Sequence, residues 1–146
     1  MHDPALGLHA ALVAVDLKQP ETRDRFIQRV NSDSKKFRSL DGDAAPFIKL
    51  AQDIQKDLKA GGKGEIDLDA ARENAGKMSS FNRTDFDYLL GRYYEATGNV
   101  AKAKDAYINC LCQPTIRHNS RTLAGIGLRR LGGGPADYRD HFLKTP

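Results

Sequence analysis

The stretch TDFDYLLGRYYEATGNVAKAKDAYINCLCQPTIR, residues 84–117, decides the fold. Its apolar residues recur at helical steps: Phe86, Leu89, Leu90, Tyr93 and Tyr94 in one segment, then Val100, Ala103, Tyr107 and Cys110 in the next. Gly98 stands between them, where a residue without a Cβ takes the left-handed conformation that ends a helix, and Asn99 follows as a candidate N-cap. Small Gly91 and Ala103 allow two helix backbones to approach closely, with Tyr94 and Tyr107 filling the space above and below that contact. The stretch predicts two helices folded back on each other.

The same period continues outward in both directions. Upstream, Pro20 restarts the chain after Gln19, and Phe26, Val30, Phe37 and Leu40 share one helical face up to the break at Asp41-Gly42-Asp43. Pro46 opens a segment in which Phe47, Leu50, Ala51, Ile54 and Leu58 repeat at three and four until Gly61-Gly62-Lys63-Gly64. Leu68, Ala71, Ala75 and Met78 form a shorter stripe. Downstream, segments over about 117–131 and 135–143 place Leu123, Ile126 and Leu131, then Tyr138 and Phe142, on inner faces. At the start, Asp3-Pro4 reads as an N-cap and first helical position. No positively charged start precedes the apolar run Ala10 to Val15, so a retained helix and a cytoplasmic protein are expected rather than a secretory signal. The reading is an all-α single domain of eight helices over 1–146: N-terminal helices over 1–43, a helix pair over 44–83, the decisive pair over 84–117 and a last pair over 118–146.

Leu90-Gly91, Tyr94, Gly98-Asn99, Ala103, Tyr107 and Pro114 together resemble the tetratricopeptide repeat, a 34-residue helix-turn-helix unit. Asp87 departs from that pattern, which wants an aromatic residue there; Phe86, one position earlier, is the available substitute. The RNA-reading pentatricopeptide repeats are the nearest confusion, but their corresponding small residues lie closer together than Gly91 and Gly98. A degenerate second copy follows: 34 residues on, Gly91 maps to Gly125, Tyr94 to Leu128 and Gly98 to Gly132. The 44–83 segment matches in shape only.

The resemblance implies antiparallel helix pairs stacked as a short solenoid, whose first helices line a concave groove for another protein or peptide. The positions that correspond to groove-facing places are Asp85, Tyr88, Arg92 and Glu95 in one repeat and Asn119, Thr122, Ile126 and Arg129 in the next. The Lys and Asn with which some chaperone-binding relatives hold a peptide carboxylate are replaced by Tyr88 and Arg92, which disfavours a chaperone adaptor. Tyr and Arg nonetheless suit an interface.

Charge and composition narrow the function classes. The 146 residues carry a formal charge of +4, 40% hydrophobic and 29% charged residues, and no run near the roughly 20 apolar residues of a membrane span. The excess is local: 1–98 holds 15 basic and 16 acidic residues, 99–146 holds 8 and 3. Lys102, Lys104, Arg117, Arg121, Arg129, Arg130 and Arg139 are candidates for one basic patch, suited to an acidic protein or, as the alternative, to nucleic acid in a larger assembly. Self-association is a further possibility if the apolar last helix is exposed.

No catalytic set emerges, and no cofactor or metal is implied. Cys110 and Cys112 point about 200° apart around a helix, and Cys110 holds the place of a small buried residue. His118 and His141 lack the short spacing of structural zinc ligands. The pairs Asp41/Asp43, Asp67/Asp69 and Asp85/Asp87 read as helix-start carboxylates, and Thr84 with Asp87 as a capping-box variant. Gly125-Ile126-Gly127 lacks both the third glycine and the preceding strand of a dinucleotide site. The Gly61–Gly64 turn lacks the Ser or Thr of a phosphate loop. Asn82-Arg83-Thr84 is a glycosylation pattern without consequence in a cytoplasmic chain. The expectation is a non-enzymatic interaction module or scaffold.

Overall fold

Helix starts fall largely where proline and short polar residues place them. In the computed structural model, which describes residues 4–32, 44–115 and 117–139, the chain forms α1 (Pro4–Asp16), α2 (Pro20–Ser32), α3 (Ala44–Lys59), α4 (Leu68–Asn74), α5 (Ser80–Ala96), α6 (Val100–Leu111) and α7 (Asn119–Arg130). Residues 136–139 are helical as well, and there is no strand among the described residues. The chain is all-α. Phe37, Leu40, Asp41, Asp43, His141 and Phe142 lie outside the described residues, as does Asp3.

Pro4 and Pro20 each occupy a first turn, where no intrahelical N–H partner is needed. Asn99 caps α6, its side chain accepting from the Lys102 N–H at 3.2 Å, and Gly98 reaches φ +79 in the turn before it. Asp67 caps α4 by accepting from the Ala70 N–H at 2.8 Å. α5 starts earlier than expected. Ser79 caps it through the Asn82 N–H, so Thr84, Asp85 and Asp87 are interior to the helix and form no capping box. The Thr84 hydroxyl bonds back to the Ser80 carbonyl at 2.8 Å and meets Thr115 Oγ1 at 3.0 Å, both within the core.

The pair α5 and α6 makes the most extensive helix contact, α1 and α2 the next. Tyr107 of α6 fits between two glycines. A Cβ on Gly91 of α5 would lie 2.4 Å from its Cδ1 and Cε1, and a Cβ on Gly127 of α7 2.7 Å from its Cε2 and Cζ. Three helices therefore close on one ring because two of them lack a side chain there. α1 and α2 use the same device, since a Cβ on Gly7 would lie 2.4 Å from Val30 Cγ2.

α5 packs against α1 on one flank and α7 on the other. α3 packs chiefly on α2 and α1 and brings Phe47 edge-on to Phe86 at 5.8 Å. Phe86, fully buried, thus supplies the aromatic packing that Asp87 does not. The expected close pairing within 44–83 is weak. α4 has seven residues, none buried, and touches α3 over a short length. It is tied instead to α5: Asp87, fully buried, faces Arg72 of α4 at 3.6 Å and Arg83 at 3.7 Å, and accepts from Gln113 Nε2 at 3.0 Å. Arg83 also donates to the Ala75 carbonyl at 3.0 Å. α7 buries Ser120, Ala124, Gly127 and Leu128, not the face expected from the sequence. Leu123 and Ile126 are 44% and 50% exposed.

Candidate interaction groove

With α5 as floor and α1 and α7 as walls, the fold leaves a cleft of about 460 Å³. The floor carries Tyr88, Arg92 and Glu95 at helical steps of four and three, which brings all three to one face. One wall carries Val13 and Asp16 of α1, the other Leu123, Ile126 and Arg130 of α7. Tyr88 lies nearly buried, its ring 5.3 Å from that of His9 and 6.0 Å from that of Tyr107.

Charged groups form a chain from wall to wall. Asp16 of α1 pairs with Arg92 Nη2, Arg92 Nη1 lies 3.4 Å from Glu95 Oε2, and Arg130 of α7 grips Glu95 through Nε at 2.5 Å and Nη2 at 2.8 Å. Tyr107 donates its hydroxyl to Glu95 Oε2 at 2.5 Å from behind. Burial alone would raise the Glu95 carboxyl; the hydrogen bonds from Arg130 and Tyr107, with the charges of Arg130 and Arg92, outweigh it and hold the group below its ordinary range. The hydrogen bond that Arg130 donates to Glu95 raises Arg130, and burial with the bond that Tyr107 donates to Glu95 raises the Tyr107 phenol. All three groups stay in their neutral-pH charge states.

The residues expected to face the groove divide. Tyr88, Arg92, Glu95 and Ile126 line it. Asp85 does not: it accepts from the Ser120 hydroxyl and lies 3.7 Å from His118 Nε2, at the N-terminus of α7. Asn119, Thr122 and Arg129 are exposed but do not line the cleft; Leu123 and Arg130 take the places expected for Thr122 and Arg129. The α1 wall, Val13 and Asp16, lies outside the positions expected to face a groove; its sequence signal is the Leu6-Gly7 pair at the start of the same helix, which repeats Leu90-Gly91.

Of the basic residues of the C-terminal third, Lys102, Arg121 and Arg130 have partners within the fold. Lys102, at the start of α6, donates to the Ile66 carbonyl at 3.1 Å and lies 5.5 Å from the centre of the Tyr94 ring. Arg121, at the far end, caps carbonyls of Thr115 and Leu111. Arg130 belongs to the Glu95 chain. Arg117, Arg129 and Arg139 are exposed and Lys104 partly so.

His118 is the N-cap of α7, its Nδ1 accepting from the Ser120 N–H at 3.2 Å, and its ring lies tilted against that of Phe81, centres 4.4 Å apart. Cys110 is fully buried and its thiol donates to the Thr84 carbonyl; burial pushes that thiol, and less strongly the half-buried Cys112 thiol, upward. Among the described residues no three His, Cys, Asp or Glu side chains are grouped to hold a metal, and no helix is long and apolar enough to cross a membrane. A second cavity of about 380 Å³ lies between α3 and α4, with Lys49, Lys56, Asp53 and Asp67 at its edge. Asp57 lies there too, but it already accepts from the Tyr93 hydroxyl at 2.5 Å and the Gly64 N–H at 3.1 Å. No protein-family model, curated protein or solved structure matches the chain.

Proposed function

We propose that the protein is a non-enzymatic interaction module of the tetratricopeptide-like type, which receives a segment of another protein in the cleft between α1, α5 and α7. The observation that carries this reading is the cleft itself, a floor fixed by buried Tyr88 and the Asp16–Arg92–Glu95–Arg130 chain, between walls whose Val13, Leu123 and Ile126 are about half exposed. Rigid floors with half-exposed apolar rims suit a docked side chain, because the rim is desolvated on binding while the floor is already ordered. The repeat signature of 84–117 supports the same reading, since its Gly91 and Tyr107, with Gly127 of α7, align α5, α6 and α7. A nucleic-acid role has less support, because Lys102, Arg121 and Arg130 are occupied within the fold.

Site-specific photocrosslinking tests the proposal. A photoreactive side chain at Ile126 is expected to capture a discrete protein from a native extract, whereas the same group at exposed Glu73 on α4 captures none. Equal labelling from both positions, or an adduct at 126 that nuclease removes, would overturn it.

A further inference from the structure

The groove carries information about the chemistry of its occupant, and this inference rests on the interaction-module reading above. Its two acids, Asp16 and Glu95, are matched one to one by its two bases, Arg92 and Arg130. Glu95 takes Nε and Nη2 of Arg130 and the Tyr107 hydroxyl, so the acids of the cleft are seated on its bases and its four charges sum to zero. An acidic ligand meets no net positive charge there and competes with Asp16 and Glu95 for the same two guanidinium groups.

The walls point the same way. α1 carries no Asp, Glu, Lys or Arg between Pro4 and Val15, and His9 is its one polar side chain there. Its inner face is buried, yet Leu6 and Val13 are each 51% exposed. A helix apolar all round is one that is covered on all sides. Across the cleft, Leu123 and Ile126 present a second apolar row one turn long.

We infer that the groove takes an amphipathic helix whose inserted face is apolar and uncharged, laid between α1 and α7 over Tyr88, and that the Asp16–Arg92–Glu95–Arg130 chain excludes acidic segments. The acidic partner suggested by the overall charge is therefore not the ligand of this groove.

Selection of random displayed 16-residue peptides on the full chain is the test. The enriched peptides are expected to carry apolar residues at i, i+3, i+4 and i+7 with no charge at those positions. Their affinity should change less than twofold between 50 and 500 mM NaCl and fall at least tenfold with Ile126→Glu or Val13→Glu. Asp16→Asn with Glu95→Gln leaves two unmatched arginines, and selection on that variant should shift to Asp- and Glu-rich peptides. Enriched wild-type binders that are acidic and lose tenfold in affinity with salt would overturn the inference while leaving the interaction module standing. Failure to enrich any binder, or a salt-insensitive dimer of the chain abolished by Ile126→Glu, would overturn both, the second in favour of another copy as occupant. The wild-type salt series decides the matter even if the double variant fails to fold.

Discussion

Replacing Gly91 by alanine sets two known effects against each other, and the structure says which wins. In a helix interior the change ordinarily stabilises by about 1 kcal/mol, since glycine is the more flexible residue. Here the new methyl would lie 2.4 Å from Tyr107 Cδ1 and Cε1. The ring cannot step aside, because Gly127 presses its other edge, where a Cβ would stand at 2.7 Å, and its hydroxyl is held by Glu95 at 2.5 Å. Overpacking of a rigid core costs roughly 1–3 kcal/mol, and a ring fixed on both edges belongs at the upper end. The expected net loss is about 1–2 kcal/mol, or roughly 2–8 °C in Tm for a chain of this size; Gly91→Leu should exceed about 2 kcal/mol. Gly125→Ala is the control, since its Cβ would meet only Leu111 Cδ2 at an ordinary 3.8 Å, and it should gain up to about 1 kcal/mol. Denaturant melts of the two variants beside wild type measure both. If Gly91→Ala were as stable as Gly125→Ala, the ring would not sit between the glycines and the assignment of Tyr107 as the meeting point of three helices would fail.

Glu95→Gln should destabilise the fold at neutral pH. Because the Glu95 carboxyl lies below its ordinary range in the fold, its contribution is present above about pH 4.3 and lost as pH falls through the folded value, so the gap between wild type and variant should close in acid. Asp87 has the opposite sign. Burial raises its carboxyl despite Arg72 and Arg83, so the folded chain holds that proton more tightly than the unfolded one. Wild type should gain on Asp87→Asn as pH is lowered towards about 3.9, as read by urea melts across a pH series. Brief alkylation of the native chain followed by mass spectrometry should label Cys112 slowly and leave Cys110 unmodified until denaturant is added. Early labelling of Cys110 would contradict its burial under Thr84 and Ser120.

The parts legible in the sequence are those where a residue type has one local use. Gly98 with Asn99, Pro4 and Pro20 each state a backbone requirement that tertiary context does not change, whereas Gly91, expected to make room for Ala103, makes room for the Tyr107 ring. Asp85 and Asp87 misled because a carboxylate near an apolar run has two uses, capping or pairing. For Asp87 the choice is made by Arg83 of the same helix and Arg72 of α4, for Asp85 by Ser120 and His118 at the start of α7. Phase misled on α7: a 34-residue offset from α5 picks Thr122 and Arg129, whereas the contact of Gly127 and Leu128 with the Tyr107 side turns Leu123 and Arg130 to the groove.

α1 was opaque for a more general reason. Periodicity locates a buried face by contrast with a polar one, and the twelve residues from Pro4 to Val15 offer no such contrast. The missing contrast is itself informative once the packing is known. Leu6 and Val13 are apolar although the fold leaves them half exposed, while the neighbouring α2, also on the surface, exposes Glu21, Arg25 and Gln28. Solvent exposure alone would place polar residues on both helices. That α1 keeps an apolar outer row whose Val13 walls the cleft, as α7 does with Leu123 and Ile126, follows if those rows are covered when the protein is engaged, which is why Val13→Glu is expected to weaken binding at least tenfold while leaving the melt of the free chain unchanged.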